Sequence, residues 1–455
     1  MRMNDRWIPD LTEIGGVKYL AIADALAEAI GTGVVKAGDR LPPQRQLADR
    51  LGVDLTTVTR AYETARARGL IEGRGRSGSY VRDASRIELP RRQAQDAGMN
   101  MPPDLPNDIL GRTIAQTIGE LMAHNAAPSL QYQPAGGARE DRIAGAELLT
   151  RMGVPAADDD VLIASGGQSA LFAIMRAMFE PGDAIACGAN VYPGFRAIAD
   201  RLGLRLVALL RMDAEALRRA CAQDAIKGLY LVPTNDNPTA ETLTASDRQA
   251  LAAAADEHDV QIIEDDAYGA LAGEPITPVA SFVPHRTWYI ASTSKIISPA
   301  LRVAFVRAPN MAASLRVASA LHETTIMAPP LNVALVSAWI GNGTFDRLLA
   351  KMRDESAKRQ TLARELLAGH DVSSHPQGYH LWLRLPPHLA ARDICDLMRP
   401  TGLSVIPSER FAVADAGPEA VRVSFGGGIS PNHLRSALLR LRGYADAPTH
   451  AAHLV

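Results

Sequence analysis

Thr287-Trp-Tyr-Ile-Ala-Ser-Thr-Ser-Lys-Ile-Ile-Ser-Pro-Ala-Leu-Arg302 passes from an apolar run into a hydroxyl cluster, then one lysine and, seven positions on, an arginine. A strand that ends in Ser292, Thr293 and Ser294 and is followed by Lys295 places a primary amine where it can form a Schiff base with an aldehyde. The hydroxyls and Arg302 hold an anion beside it. Taken alone, the same pattern also describes a surface lysine after a strand. What the neighbouring strands end in decides between the two.

Residues 161–164, 184–187, 205–209, 228–232, 260–264, 287–291 and 303–307 read as short buried strands, with helical stretches such as 170–178 and 246–258 between them. This alternation predicts a mostly parallel α/β sheet, in which ligands gather at the carboxyl ends of the strands. Ser165-Gly-Gly-Gln-Ser169 follows the first of these strands and opens a helix, so its backbone N–H groups and hydroxyls can hold a phosphate. Asn237-Pro-Thr239 follows the strand ending at Val232 and can supply an amide to a phenolate oxygen. Asp265 ends the Gln261–Glu264 run and precedes Tyr268 by three residues; a buried carboxylate there can pair with a protonated pyridine nitrogen. Each has a plain alternative: a turn asparagine, a capping aspartate, a core tyrosine. Together, each at a strand end, they match what pyridoxal 5'-phosphate requires.

The stretch 15–82 is built differently. Tyr19, Ile22, Ala23, Leu26 and Ile30 recur at helical spacing; a second short helix follows Pro42-Pro43 to Leu51, and Asp54 is suited to cap a third in which Val58, Ala61, Tyr62 and Ala65 face inward. Two short helices separated by Gly52-Val53 make a helix-turn-helix whose outward face offers Thr56, Thr57 and Arg60 to base edges and phosphates. Residues 70–72 and 79–81 read as two strands of a wing, with Arg74 and Arg76 at its tip. Eleven Lys/Arg against seven Asp/Glu give 15–82 a net charge of +4 in a chain whose total is -2. The run Gly38-Asp-Arg-Leu-Pro-Pro-Gln-Arg-Gln-Leu-Ala-Asp-Arg-Leu-Gly-Val53, with Thr56–Tyr62 and Gly69–Glu72, resembles the winged helix-turn-helix of GntR-type bacterial regulators. That resemblance implies that Arg45, Thr57 and Arg60 contact DNA and that Gly78 reaches the minor groove. Leu55 stands where many members have an arginine, which implies an altered operator preference.

Residues 83–106 lose periodicity and carry Pro90, Arg91, Arg92, Pro102, Pro103 and Pro106, so they read as a linker. Fully extended, about two dozen residues reach roughly 75 to 85 Å, enough for a head to meet a partner subunit.

Residues 125–430 resemble the fold-type-I aminotransferase domain. The expected architecture is therefore a large α/β domain over 107–340 and a smaller C-terminal α+β domain over 341–445, behind the head and linker. The resemblance implies that Lys295 forms the internal aldimine, that Asp265 binds the pyridine nitrogen, and that Asn237 with Tyr268 binds the ring hydroxyl. By the same likeness Tyr192 stacks on the ring; Gly167, Gln168, Ser292, Ser294 and Arg302 form the phosphate cup; and Tyr132 arrives from the partner subunit of a homodimer. Arg422, in Val-Arg-Val-Ser-Phe425, matches the arginine that binds a substrate carboxylate. Ala240 departs from the usual Asn-Pro-Thr-Gly and costs on the order of 1 kcal/mol if its φ is positive.

Cys187, Cys221 and Cys395 are too scattered for a metal site or disulfide framework, no apolar run approaches the roughly 18 residues of a membrane span, and the first residues lack a signal-peptide core. A cytoplasmic protein without metal is expected. Head and body together resemble the MocR/GabR-type regulators. This implies a pyridoxal-phosphate-dependent transcription regulator that binds operator DNA and senses the cofactor or a small amino compound by aldimine exchange at Lys295. The alternatives are a working aminotransferase with a DNA-binding head, and a sensor of pyridoxal phosphate alone.

Overall fold

The structure is a computed structural model that describes residues 7–9, 17–73, 78–82, 98–413, 417 and 419–446, with the backbone alone over 125–129. Two compact units divide between residues 93 and 94. Arg74, Arg76, Arg91, Arg92 and the linker up to residue 97 lie outside the described residues.

In the first unit, α1 (Lys18–Gly31), α2 (Gln44–Leu51) and α3 (Leu55–Ala67) are followed by β1 (Ile71–Gly73) and β2 (Ser79–Val81). The α2–α3 turn is made at Gly52, whose φ of 61° lies where a side chain is disfavoured. Asp54 then caps α3 by accepting from the Thr56 backbone N–H at 2.8 Å and from the Thr56 hydroxyl at 2.7 Å. Ile22, Leu26, Leu47, Val58, Tyr62, Ile71 and Val81 form one core. The Tyr62 hydroxyl donates to the Pro42 carbonyl at 2.8 Å, so the ring is buried with its polar end satisfied. β1 and β2 pair antiparallel, Glu72 opposite Tyr80, which gives the winged form the sequence predicts.

The second unit opens with α4 (Ile109–Ser129) and α5 (Arg139–Arg151) and then alternates: β3 (Val161–Ala164), α6 (Gly167–Met178), β4 (Ala184–Gly188), α7 (Pro193–Leu202), β5 (Arg205–Leu209), α8 (Ala214–Gln223), β6 (Ile226–Leu231), α9 (Ala245–Glu257) and β7 (Gln261–Asp265). After α10 (Val279–Phe282) come β8 (Thr287–Ser292), α11 (Thr293–Ile296), β9 (Ala304–Arg307), α12 (Met311–Thr325) and α13 (Pro330–Gly341). The seven strands form one sheet in the order β3-β9-β8-β7-β6-β4-β5. Only the pairings of β9 with β3 and β8 are antiparallel, so the strands either side of β9 run the same way as the rest. Their carboxyl ends share one edge, and helices cover both faces, which is why β3, β8 and β9 are buried at every position rather than at alternate ones.

The long helix α14 (Thr344–Leu366) leads to the smaller sheet: β10 (Val372–Ser374), β11 (His380–Arg384), α15 (Ala391–Met398), β12 (Ser404–Pro407), β13 (Ala420–Ser424) and α16 (Pro431–Ala445). Its order is β10-β11-β13-β12, antiparallel throughout. Sequence patterning misses β10 and α15: a three-residue strand of Val372-Ser-Ser374 carries no alternation to read.

One difference concerns the linker. Its last part, 98–106, which the sequence assigns to a spacer, is laid against the rest of the second unit. Pro103 bridges Gly427, Gly427 N–H donates to Pro102 O at 3.0 Å, Asp104 N–H donates to Gly427 O at 3.2 Å, and Asn100 is 2% exposed. Such a segment takes its order from the surface it meets, so it shows no period of its own.

Candidate functional site

The phosphate end is assembled from two strand ends. After β3, Gly166 adopts φ 84° and α6 begins; after β8, Ser292 caps α11 by accepting from Ser294 N–H at 3.3 Å. Arg302 closes over this corner and donates from Nη2 to the Ser165 carbonyl at 2.8 Å. A Cβ on Gly166 would lie 2.8 Å from the Arg302 guanidinium carbon, and one on Gly167 3.4 Å from Ser292 Cβ. The positive φ of Gly166 and its close approach to Arg302 make glycine the residue that suits this position, where the guanidinium, the hydroxyls and the first N–H groups of α6 converge. The Ser169 and Ser294 hydroxyl oxygens are buried here without a hydrogen-bond partner. Gln168 is exposed, its amide donating to Gly194 O at 3.3 Å.

Behind the corner lie the aromatic and acidic groups. Asp265 Oδ2 accepts from the Tyr230 hydroxyl at 3.1 Å, and Tyr230 stacks on Phe195 with ring centroids 3.9 Å apart. Burial pushes the Asp265 carboxyl up to about 6, against the Tyr230 bond, with Asp266 adding to the rise and Lys295 opposing it. Burial likewise raises the Tyr192 hydroxyl, with the Asp265 charge adding and Arg302 opposing, which sets Tyr192 between these two groups.

Lys295 is enclosed by this shell. Its Nζ donates to the Asn100 carbonyl at 2.6 Å, and its own carbonyl accepts from the Tyr379 hydroxyl at 2.9 Å. Burial first, then the Arg422 charge, lowers its pKa to about 8; Asp265 pulls the other way and Arg302 adds to the depression. An amine so poised is partly neutral, hence nucleophilic, near physiological pH.

Arg422 sits on β13 opposite Trp382 and Ile406 and is 2% exposed. It donates from Nη1 to Asn237 Oδ1 at 3.0 Å and from Nη2 to the Gly98 carbonyl at 2.8 Å, with its guanidinium 5.1 Å from the Phe411 ring centroid. Asn100 Nδ2 donates to the Tyr268 hydroxyl at 3.0 Å and approaches His380 Nδ1 at 3.0 Å, while His380 Nε2 meets the Asp236 carbonyl at 2.9 Å. Burial drops the His380 pKa to about 3, so the ring is neutral; Nε2 carries the proton toward the carbonyl and Nδ1 accepts from Asn100.

The single chain thus gathers Gly167, Tyr192, Asn237, Asp265, Tyr268, Ser292, Ser294, Lys295 and Arg302 at the carboxyl end of the large sheet, with Arg422 reaching in from the small one. Tyr132, 79% exposed, is not among the residues brought together. Four members were not anticipated: Asn100, Tyr230, Asp236 and His380. A tyrosine inside β6 and a histidine inside β11 are detectable as polar groups in buried strands, whereas Asn100 has no such signal. Ala240 has φ 56° and is buried, the left-handed conformation in which a glycine is usual. On the head, Arg45, Thr56, Arg60 and Leu55 are exposed, Thr57 is half-buried, and Gly78 has φ 103°. Among the described residues there is no cluster suited to a metal ion, and no helix is long and apolar enough to cross a membrane.

The family model for aminotransferase class I and II matches residues 99–441, and that of bacterial regulatory proteins of the gntR family matches 18–81. The chain belongs to the aminotransferase class I and II family. With its gntR-type head it has the MocR/GabR arrangement. It is 30% identical over 448 residues, 97% of each chain, to the uncharacterized HTH-type transcriptional regulator YdeF of Bacillus subtilis. To the HTH-type transcriptional regulator TauR of Rhodobacter capsulatus it is 26% identical, over 85% of this chain and 88% of that one. The multiple substrate aminotransferase of Thermococcus profundus shares the fold: TM-score 0.69 at 24% identity, over 76% of this chain and 90% of that one.

The cofactor of this fold is pyridoxal 5'-phosphate, and the donors present fit it. Two orphaned buried hydroxyls and a glycine-lined corner beside Arg302 suit a phosphate; a half-buried carboxylate suits a pyridinium nitrogen; and a half-buried lysine is within reach of both charges.

Proposed function

We propose that this chain, a DNA-binding transcription regulator whose cofactor is pyridoxal phosphate, senses a small amino acid in its aminotransferase-like body and acts as a homodimer. The observation that carries the reading is the presence, in one chain, of a gntR-type head over 18–81 and a fully furnished site around Lys295. When bound, pyridoxal phosphate supplies an aldehyde that condenses reversibly with primary amines, so the site selects for amines.

The chain's own groups do the rest. Ser292, Ser294, Arg302 and the amides of Gly167 and Gln168 hold the phosphate, at the N-terminus of α6 where anions are favoured. Asp265, an anion above about pH 6, keeps a proton on the pyridine nitrogen, and Tyr230 orients its carboxylate. Tyr192 covers the ring, and Asn237 and Tyr268 meet its hydroxyl. Lys295 supplies the amine that is exchanged. Arg422 takes the effector's carboxylate; because it also holds Asn237, the two ends of the ligand are registered through one bond. Thr56, Thr57, Arg45, Arg60 and Gly78 meet DNA, with Tyr132 reaching the partner's site.

The test uses the full chain and a DNA fragment selected by it from a random pool. Anisotropy titrations with pyridoxal phosphate, with and without a panel of amino acids, should show an affinity change that Lys295→Ala abolishes while the variant stays folded. If multi-cycle exchange between amino donors and keto acids proceeds instead with no effect on DNA affinity, the chain is an aminotransferase with a head. If the cofactor alone gives the whole effect, it senses only the cofactor.

A further inference from the structure

Residues 98–104 join the linker to the body by passing through the site. The segment is pinned at one end, where Pro102 and Asp104 exchange backbone hydrogen bonds with Gly427. It passes so close to the small domain that a Cβ on Gly426 would fall 1.6 Å from the Met101 carbonyl oxygen. Ahead of that anchor it bonds to groups of the proposed site: Gly98 O to Arg422 Nη2 at 2.8 Å, Asn100 O to Lys295 Nζ at 2.6 Å, and Asn100 Nδ2 to Tyr268 and His380 at 3.0 Å each. Arg422 and Lys295 are donors that an amino acid bound at the site would need. The Gly98 carbonyl is a neutral acceptor on a buried guanidinium. A carboxylate brings a full opposite charge and a two-oxygen fork to the same guanidinium, and wins the exchange.

We propose that Gly98–Met101 is a resident competitor for the effector's carboxylate, and that its displacement from Arg422 is the event passed to the DNA-binding head. Chain continuity supplies the route: fifteen residues, 83–97, separate Arg82 at the end of the wing from Gly98. The anchor at Gly427 confines the release to 98–101, so the strain falls on the linker side rather than on the body. Because binding and displacement are linked, DNA that favours one placement of the linker must change effector affinity by the same factor. An amine lacking a carboxylate leaves the Gly98–Arg422 bond intact, which makes the device selective for amino acids. The inference rests on the cofactor reading of the site.

Two stable adducts separate the two ideas: N-(5'-phosphopyridoxyl)-L-alanine and N-(5'-phosphopyridoxyl)ethylamine, which differ only in the carboxylate. Hydrogen exchange of the full chain is followed at the amides of Gly98, Met99, Asn100 and Met101. The alanine adduct should speed exchange there by about five- to tenfold over the ethylamine adduct, as expected for losing one or two hydrogen bonds. Asn100→Ala, which loosens the segment without touching Arg422, should shift the ratio of the two affinities toward the alanine adduct by about fivefold. If both adducts bind with equal exchange at 98–101, or if Asn100→Ala leaves the ratio unchanged or reversed, this inference falls alone. If neither adduct binds, it falls together with the cofactor reading.

Discussion

Arg422→Lys separates the charge of the residue from its geometry. The side chain is 2% exposed, and its guanidinium makes two directed bonds, to Asn237 Oδ1 at 3.0 Å and Gly98 O at 2.8 Å. Lysine keeps the positive charge, and with it the influence that lowers the Lys295 pKa, but replaces a planar fork by a single point. One of two simultaneous contacts is then lost, to Asn237 or to the ligand. A hydrogen bond to a charged group is worth about 1.5–3 kcal/mol, so affinity for a carboxylate-bearing ligand should fall about 10- to 150-fold. Calorimetric titration with the alanine and ethylamine adducts measures this directly, because the ethylamine adduct shares every other contact and should weaken by no more than about twofold. Thermal unfolding of the variant checks that the small domain is intact. Equal weakening of both adducts would show that Arg422 matters only for packing against Asn237 and Phe411, and the carboxylate assignment would be refuted.

The depressed Lys295 pKa predicts that the rate of covalent capture of pyridoxal phosphate, followed by stopped-flow absorbance, climbs with pH to about 8 and then levels; a rise continuing through 10 would show an ordinary lysine. In stability the sign is fixed by linkage: between about 8 and the ordinary value of 10.5 the unfolded chain binds the proton and the folded chain does not, so this group's contribution rises across that window and is lost as pH falls through about 8. Arg60→Ala should weaken binding to the selected DNA, lower the slope of log affinity against log salt by about one, and leave cofactor absorption unchanged. Arg60 is exposed, with its guanidinium 5.1 Å from the Tyr19 ring centroid, so unaltered DNA affinity would assign it to that contact instead.

Much of this site is legible in the sequence because parallel sheets place their chemistry at strand ends, and strand ends are local events. Ser292–Lys295 follows β8, Asp265 ends β7, and Gly166-Gly167 follows β3, each visible as a change from an apolar run to small or polar residues. The helix-turn-helix is readable for the same reason: Gly52 and Asp54 are stop and start signals two residues apart. What escapes is whatever depends on distant contacts. Asn100 lies 168 positions from Tyr268 and 280 from His380, in a stretch rich in proline that looks like spacer. The order β3-β9-β8, which inserts an antiparallel strand among parallel ones, likewise leaves no mark on the residues of β9. Ala240 is a mixed case: the sequence marks it as a departure, but only the backbone shows that the alanine has taken the glycine's conformation.

The balance of charge around Lys295 also bears on the kind of effector. Two guanidinium groups, Arg302 and Arg422, lower the lysine pKa and one carboxylate, Asp265, raises it. Of these groups Arg422 is the buried one, and a buried cation is stabilised when an anion meets it. Arg302, at the corner built by Gly166 and Ser292, would be met by the phosphate of a bound cofactor. Arg422 is at the other end, on a different sheet, where it donates to an amide oxygen and to a backbone carbonyl. An amino acid joined to the cofactor brings a carboxylate to this guanidinium, and a simple amine brings none. The arrangement therefore favours an amino acid effector over a plain amine, and does so through the same arginine that holds the end of the linker.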